Sequence, residues 1–299
     1  RFAVGMQGVA IADRAYQKAV AYARDRVQSR DVAGSAAAVP IIRHPDVRRM
    51  LMTMRALTEG ARSLAYAAAA ACDAGHYAAD AETRKRNMAV YEFLVPIVKG
   101  WSTEMSLEVT SLGVQVHGGM GFIEETGAAQ FYRDARILTI YEGTTAIQAN
   151  DLIGRKTARD GGAVAGALLA AIGETVRELE GQDGDLGAIR QSLVAGAQSL
   201  REAIDFIVAS SRSDVRAVFA GSVPYLKLAG IVLGGWQLAR AALAARSLLA
   251  EGNADSGFLR AKIGTARFFA DHVLSQASAL RHSIVGGAAG VLALEEAQF

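Results

Sequence analysis

The sequence predicts an all-α protein, and three observations support that fold class. Only four prolines interrupt the 299 residues, and alanine and leucine, which are strong helix formers, are abundant throughout. Aromatic residues make up 7% of the chain, while 51% of it is apolar, which favours helices over sheets. Apolar residues recur every three or four positions over long stretches, and this is the period of a helix with one buried face.

Charge and composition argue against several classes of protein. The formal net charge of +2 is spread along the chain without a basic block, so we expect no nucleic-acid partner. Apolar stretches such as 228–236 are shorter than the roughly 20 residues of a membrane span, which predicts no transmembrane helix. The one cysteine, Cys72, has no second cysteine to pair with, and this predicts a reducing, cytoplasmic location.

The first half of the chain, residues 1–160, predicts one domain of long helices. Proline at position 96 removes a backbone donor inside the third helix and predicts a bend there. Thr144 or Thr145 is expected to cap the last helix of this half. The predicted segments are helices at 2–28, 47–75, 82–116, 130–135 and 146–158, with a glycine-dense turn at 117–122 and a loop at 140–143.

A second domain is predicted at residues 161–299. The pair Gly161-Gly162 separates it from the first half, and 299 residues are enough for two domains with real cores. Four amphipathic helices are expected to pack with their apolar stripes facing each other as an appended bundle. The predicted helices are centred on 168–179, 186–208, 223–250 and 258–282.

Two short segments stand out chemically, and the residues alone leave both open. Glu142 lies on a loop at a helix N-terminus, where a carboxylate can be a simple capping acid, and pattern alone favours that reading. Gly118, Gly119 and Gly121 can let a backbone approach a pyrophosphate, or they can be an ordinary helix-ending turn. The histidines form no Glu-x-x-His pair at helical spacing, so we predict no metal site.

Three blocks in a fixed order resemble one known family. They are Gln115-Val116-His117-Gly118-Gly119-Met120-Gly121-Phe122, then Arg133-Asp134-Ala135, then Ile140-Tyr141-Glu142-Gly143-Thr144 followed by Ile147-Gln148. Together they resemble the C-terminal helical domain of flavin-dependent acyl-CoA dehydrogenases, over about residues 1–158. The helices after Gly161 and the segment 150–156 resemble the subgroup that includes 3-methylmercaptopropionyl-CoA dehydrogenase.

The resemblance implies FAD-dependent oxidation of an acyl-CoA to a 2-enoyl-CoA, a reaction of fatty-acid metabolism. Glu142 matches the base that removes the α-proton, while the β-hydride passes to the flavin. Gly143 keeps bulk away from the thioester, Tyr141 lines its pocket, and Arg1 matches an arginine near the CoA moiety. Burial of the bound acyl chain and flavin would make the carboxylate a better base.

The resemblance also implies a flavin held between subunits, and therefore a homodimer or a dimer of dimers. Two departures from the family concern the flavin contacts: the usual phenylalanine-glycine-lysine is replaced by Ser29-Arg30-Asp31, and Ala146 stands where some relatives have glutamine. An arginine suits pyrophosphate because its paired donors match phosphate oxygens. The residues that match cofactor-binding positions are Arg26, Gln28, Gln115, His117, Gly118, Gly119, Thr144 and Gln148.

Three readings of function follow. The chain begins at Arg1 inside a periodic helix, so we interpret it as the C-terminal piece of an acyl-CoA dehydrogenase that passes electrons to an electron-transfer flavoprotein. On its own the piece is expected to bind FAD weakly and to be inactive, because the family's other domains help to enclose the flavin. The alternatives are a non-catalytic helical scaffold and an acyl-CoA oxidase, which reoxidises its flavin with oxygen.

Overall fold

The computed structural model describes residues 1–252 and 255–299. The structure is 82% helical, and the described residues form no strand beyond an isolated bridge between Val27 and Pro40. The all-α fold class is therefore confirmed. The helices of the first half are α1 (Phe2–Asp25), α2 (Pro45–Tyr77), α3 (Ala81–His117), α4 (Gly119–Phe122), α5 (Ala128–Leu138) and α6 (Thr145–Asp151).

Helices α1 and α3 pack with their backbones in contact. A Cβ atom added to Gly5 would lie 2.6 Å from the Val98 carbonyl oxygen, and one added to Gly8 would lie 2.6 Å from the Ser102 carbonyl oxygen. Glycine at both positions removes the atoms that would otherwise separate the two helices. This contact sets the first turns of α1 directly against residues 98–102 of α3.

Helix α3 runs without interruption through Pro96 from Ala81 to His117, and the bend expected at Pro96 stays a prediction. One detail of the first half differs from the expected helices. The helix expected at 146–158 is α-helical only to Asp151 and continues as a π-helix over Leu152–Ala158. The Thr157 hydroxyl donates to the Leu152 carbonyl oxygen over 2.9 Å, five residues back, and so supports the wider turn.

The second half contains more and shorter helices than the periodicity predicted. The helix expected over 258–282 is broken into two by a 3-10 turn at Leu274–Gln276. The buried Leu274 lies 2.9 Å from the position that a Cβ atom of Gly235 would occupy, so the break inserts this side chain between helices. The helices are α7 (Ala163–Glu178), α8 (Gly184–Ser210), α9 (Val215–Ala220), α10 (Ser222–Ala250), α11 (Ser256–His272), α12 (Ala277–Gly286) and α13 (Ala288–Val291).

Helix α10 is the central helix of the second half. It is the one helix in the described ranges that is long and apolar enough to cross a membrane, but 72% of its most apolar window is buried inside the protein. Gly230 and Gly234 of α10 face Trp101 of α3, which is itself buried. The second half therefore packs directly on the first, and the division at residue 160 stays a prediction.

Candidate active site in the loop before helix α6

The loop at 139–144 joins α5 to α6 and carries Glu142. The Thr145 N–H donates to the Thr139 carbonyl oxygen over 3.1 Å and closes the loop at its base. Glu142 has a backbone φ of 53° and Gly143 a φ of 90°. A residue with a Cβ atom is strained in this left-handed region, and such strain concentrates at functional sites. The Glu142 side chain is exposed, so its carboxylate is open to a ligand.

Two buried side chains donate hydrogen bonds to backbone carbonyl oxygens of this loop. The Lys99 ammonium donates to the Gly143 carbonyl oxygen over 2.7 Å, and the Gln148 side-chain amide donates to the same oxygen over 3.1 Å. The Gln148 amide also reaches the Glu142 carbonyl oxygen at 3.4 Å. Both Lys99 and Gln148 are fully buried. Burial lowers the pKa of Lys99, and the negative charges of Glu104 and Glu142 oppose that shift.

Gly143 has a structural reason to be glycine. Its φ of 90° disfavours any side chain, and an added Cβ would lie 2.8 Å from the Gln148 side-chain nitrogen. A side chain here would therefore push Gln148 away from the loop that it supports. The expected role of keeping bulk away from a thioester stays a prediction.

The two residues that flank Glu142 in sequence are also tied down. The Tyr141 hydroxyl donates to the side-chain oxygen of Gln7 on α1. The Thr144 hydroxyl accepts a hydrogen bond from the Ile147 N–H over 3.4 Å and caps α6. Of the two expected caps, Thr144 and Thr145, the structure uses Thr144. The loop is thus anchored on both sides of the carboxylate.

Arg1 belongs to an ion network beneath the same loop. Its guanidinium donates to Asp151 over 2.7 Å and to the Gln148 side-chain oxygen over 3.2 Å. Arg155 donates to the other Asp151 oxygen over 2.6 Å. Burial raises the pKa of the Asp151 carboxyl, but the hydrogen bonds from Arg1 and Arg155 outweigh burial and hold that pKa below its ordinary 3.8.

The Asp151 network predicts a pH-dependent stability. Asp151→Asn should lower the free energy of unfolding by about 2 kcal/mol at neutral pH, because the hydrogen bonds to charged partners weaken. The folded pKa is depressed, so the carboxylate stabilises the fold above pH 3.8 and stops doing so as the pH falls through the folded value. Urea unfolding of both proteins between pH 3 and 7 should therefore show a difference that shrinks only below about pH 4. A difference that does not change with pH would contradict the ion network.

The glycine turn ends α3 and leaves backbone exposed. The Gly118 N–H donates to the Gln115 carbonyl oxygen over 3.0 Å, and Gly118 has a φ of 59°. Nothing lies within 4 Å of the positions that Cβ atoms of Gly118 or Gly119 would take. At Gly121 a Cβ would lie 2.2 Å from the Val114 carbonyl oxygen, so this glycine closes the turn. The first two glycines are therefore open to a ligand, and the third has a packing role.

His117 is buried beside the glycine turn. Its Nδ1 lies 2.7 Å from the Gly113 carbonyl oxygen, and its ring stacks on Tyr22 with centroids 4.4 Å apart. A carbonyl oxygen can only accept a hydrogen bond, so Nδ1 carries the proton. In the neutral ring Nε2 is then unprotonated and can accept a hydrogen bond. Burial lowers the pKa of His117, with a contribution from the charge of Lys18 and opposition from the Gly113 hydrogen bond. His117 is therefore neutral at pH 7.

Arg26 and Gln28 lie just after α1. The Arg26 guanidinium donates to the Gln28 side-chain oxygen over 3.1 Å, and both residues are exposed. The His44 ring nitrogen Nε2 lies 2.8 Å from the Gln28 carbonyl oxygen and holds this segment in place. The arginine is thus displayed at the surface, where an anion could reach it.

The predicted site residues form two groups at opposite ends of α1. Arg1, at its start, contacts Gln148 beneath the Glu142 loop. Tyr22, near its end, stacks on His117 beside the glycine turn. Helix α1 has 24 residues, which corresponds to about 36 Å at 1.5 Å per residue. Arg26 and the glycine turn therefore lie far from the Glu142 loop of the same chain.

Sequence reasoning missed Lys99 and Asp151. Lys99 interrupts the apolar run 93–101, and a lone lysine in such a run was the available signal. Asp151 lies three residues after Gln148, on the same face of α6, but only the fold brings Arg1 to it. No group of three or more histidine, cysteine or acidic residues suited to a metal occurs in the described ranges, and the absence of a metal site stays a prediction.

Comparison with known proteins identifies the class of this helical protein. Residues 1–156 match the acyl-CoA dehydrogenase C-terminal domain, and residues 168–295 match the acetyl-CoA dehydrogenase C-terminal like domain. The chain belongs to the acyl-CoA dehydrogenase family, as the resemblance predicted.

The curated relatives are longer than this chain. The 3-methylmercaptopropionyl-CoA dehydrogenase of Ruegeria pomeroyi is 56% identical over 280 residues, which cover 93% of this chain and 47% of that protein. The broad-specificity linear acyl-CoA dehydrogenase of Mycobacterium tuberculosis is 34% identical over 318 residues, which cover 100% of this chain and 51% of that protein. The chain spans about half the length of the curated relatives that it matches.

A solved structure has the same fold. The acyl-CoA dehydrogenase complexed with FAD from Bacillus anthracis superposes with a TM-score of 0.74 at 20% identity, over 95% of this chain and 48% of that one. At this identity the likeness concerns the fold alone. It confirms that the helices have the arrangement of the family's C-terminal region.

Proposed function

We propose that the protein containing this chain is a FAD-dependent acyl-CoA dehydrogenase, which oxidises an acyl-CoA thioester to the 2-enoyl-CoA. The observation that carries the proposal is Glu142, an exposed carboxylate on a strained loop that buried donors hold from behind. Bound FAD would supply the acceptor for the hydride that leaves the β-carbon. The α-proton goes to Glu142, and the electrons of that C–H bond become the second bond between the α- and β-carbons.

The loop offers the thioester a hydrogen-bond donor as well as a base. Within the described ranges the Glu142 N–H donates to no carbonyl oxygen, which leaves it free for the thioester carbonyl. A donor on that oxygen stabilises the negative charge that develops as the α-proton leaves. Glu142 therefore contributes through two groups, its carboxylate and its backbone N–H.

The proposed FAD contacts come from both ends of α1. The exposed backbone at Gly118 and Gly119 and the surface guanidinium of Arg26 fit the pyrophosphate of a dinucleotide. Thr144 and Gln148 lie on the loop side, near Glu142. Because about 36 Å separates the two ends of α1, one FAD would contact the Glu142 loop of one subunit and the glycine turn of another. This separation supports a homodimer or a dimer of dimers.

The proposed electron acceptor is an electron-transfer flavoprotein. The caffeyl-CoA reductase-Etf complex subunit of Acetobacterium woodii is 31% identical over 148 residues, and its name associates that protein with such a partner. An acyl-CoA oxidase is the alternative within the same chemistry. The cytoplasmic location and the two-domain division remain predictions beside this proposal.

The test is an assay of the complete gene product. We expect it to reduce electron-transfer flavoprotein with a panel of thioesters that includes 3-methylmercaptopropionyl-CoA, butyryl-CoA and a long-chain acyl-CoA. Peroxide release in place of acceptor reduction would favour the oxidase. A protein that binds FAD but is reduced by none of these thioesters would favour the scaffold and overturn the proposal.

The chain alone should bind FAD weakly. Residues 1–299 should give no tight stoichiometric end point in a fluorescence titration with FAD, because much of the flavin would be left in water. The complete protein, titrated in parallel, is the positive control. Tight binding of FAD by the chain alone would contradict this expectation.

A further inference from the structure

Lys99 is a charged residue in a place that disfavours charge. It lies in the middle of α3 between Val98 and Gly100, and its side chain is fully buried. Moving an ammonium group out of water is costly, and an apolar side chain of similar volume is often equally or more stable at such a site. Stability of the bundle therefore does not account for a lysine here.

The one hydrogen bond of the Lys99 ammonium in the described part of the chain goes to the loop at 139–144. Its Nζ donates to the Gly143 carbonyl oxygen over 2.7 Å, across 44 residues of sequence. The acidic groups whose charges act on it are Glu104, on its own helix, and Glu142, on the loop. The ammonium thus lies behind the loop, bonded to the residue that follows Glu142.

The loop needs such a restraint. Glu142 has a φ of 53°, and a strained residue persists only when its surroundings hold it there. The Gln148 side-chain amide donates to the carbonyl oxygens of Gly143 and Glu142, over 3.1 and 3.4 Å. Both hydrogen bonds are longer than the one from Lys99. The charged donor is the shorter and stronger of the two supports.

We propose that Lys99 is a positioning residue for Glu142, whose buried ammonium holds the Gly143 carbonyl and keeps the carboxylate-bearing loop in one conformation. Lys99 does not touch the reacting atoms, because its ammonium is bonded to the backbone. The link to catalysis rests on the proposed function, whereas the restraint on the loop does not.

The first experiment measures the loop in the 299-residue chain and needs no activity. Lys99→Met keeps most of the side chain and removes its terminal donor, so hydrogen exchange of the Thr145 N–H, which closes the loop, should accelerate about tenfold or more. The melting temperature should stay within a few degrees or rise, because a buried charge is removed. Lys262→Met, which breaks a bond to Glu59 elsewhere, is the matched control and should leave loop exchange unchanged.

The second experiment measures catalysis in the complete enzyme. Lys99→Met should lower kcat about 10- to 100-fold with KM changed less than about threefold, and Lys99→Arg, which retains a charged donor, should recover part of the loss. Unchanged loop exchange, or a Lys99→Met chain that fails to fold, would overturn the positioning role. If loop exchange accelerates but the wild-type enzyme oxidises no acyl-CoA, the proposed function fails while the restraint stands.

Discussion

Glu142→Gln should reduce dehydrogenation by the complete enzyme about 10²- to 10⁴-fold, the usual contribution of a general base. Glutamine has the same shape as glutamate, and the backbone contacts of the loop through Gly143 and Gln148 do not involve the Glu142 carboxylate. The amide cannot accept the α-proton, so the chemical step should slow while the fold and FAD content are retained. Single-turnover reduction of the flavin by an acyl-CoA measures that step directly.

The control for this experiment is Glu174→Gln. Glu174 is an exposed acid on α7 paired with Arg177, and its neutralisation should leave flavin reduction unchanged. Comparable rates in Glu142→Gln and wild type would remove the proposed base. Loss of FAD from Glu142→Gln would instead point to a structural role for the carboxylate.

Gly230→Ala should destabilise the protein strongly for the addition of a single methyl group. The added Cβ would lie 2.3 Å from Cγ of Trp101 and 2.8 Å from its Cβ. These are the rigid inner atoms of a buried indole, so helix α10 must move away from α3 to accommodate the methyl group. Overpacking of this kind costs about 1–3 kcal/mol and occasionally more. Denaturant unfolding monitored by circular dichroism measures the change.

The matched control should change stability in the opposite direction. Gly264 is also a helical glycine, on α11, but no atom lies within 4 Å of the position of its added Cβ. Gly264→Ala should therefore stabilise the protein by about 0.5–1 kcal/mol, since alanine is the better helix former. Equal effects at both positions would mean that α10 does not pack against Trp101 as described.

Periodicity predicted the long helices well because each of them buries one face. Helices α1, α2 and α3 lie within a few residues of the expected bounds. The break at Leu274–Gln276 was missed because it depends on the space above Gly235, which belongs to another helix. The π-helix over Leu152–Ala158 was missed for a similar reason, since its residues continue an ordinary helical pattern.

The candidate site, like the fold, was predicted only in part from the sequence. The three sequence blocks pointed to Glu142, Gly143 and the glycine turn through their resemblance to the family. No pattern within them indicated that Lys99, 43 residues before Glu142, would lie behind the loop. That contact exists because α6 packs against α3, which brings the Gly143 carbonyl oxygen of the preceding loop to the Lys99 ammonium.

The amino-acid sequence by itself therefore determined the fold class, the family and the position of the carboxylate, because these depend on local periodicity and on contiguous motifs. Only the tertiary structure showed that buried Lys99 and Gln148 hold the loop that carries this carboxylate. It alone also placed the two groups of predicted cofactor residues at opposite ends of α1. The physical reason is that buried hydrogen bonds and helix contacts join residues far apart in the chain, and their partners are chosen by packing rather than by sequence spacing.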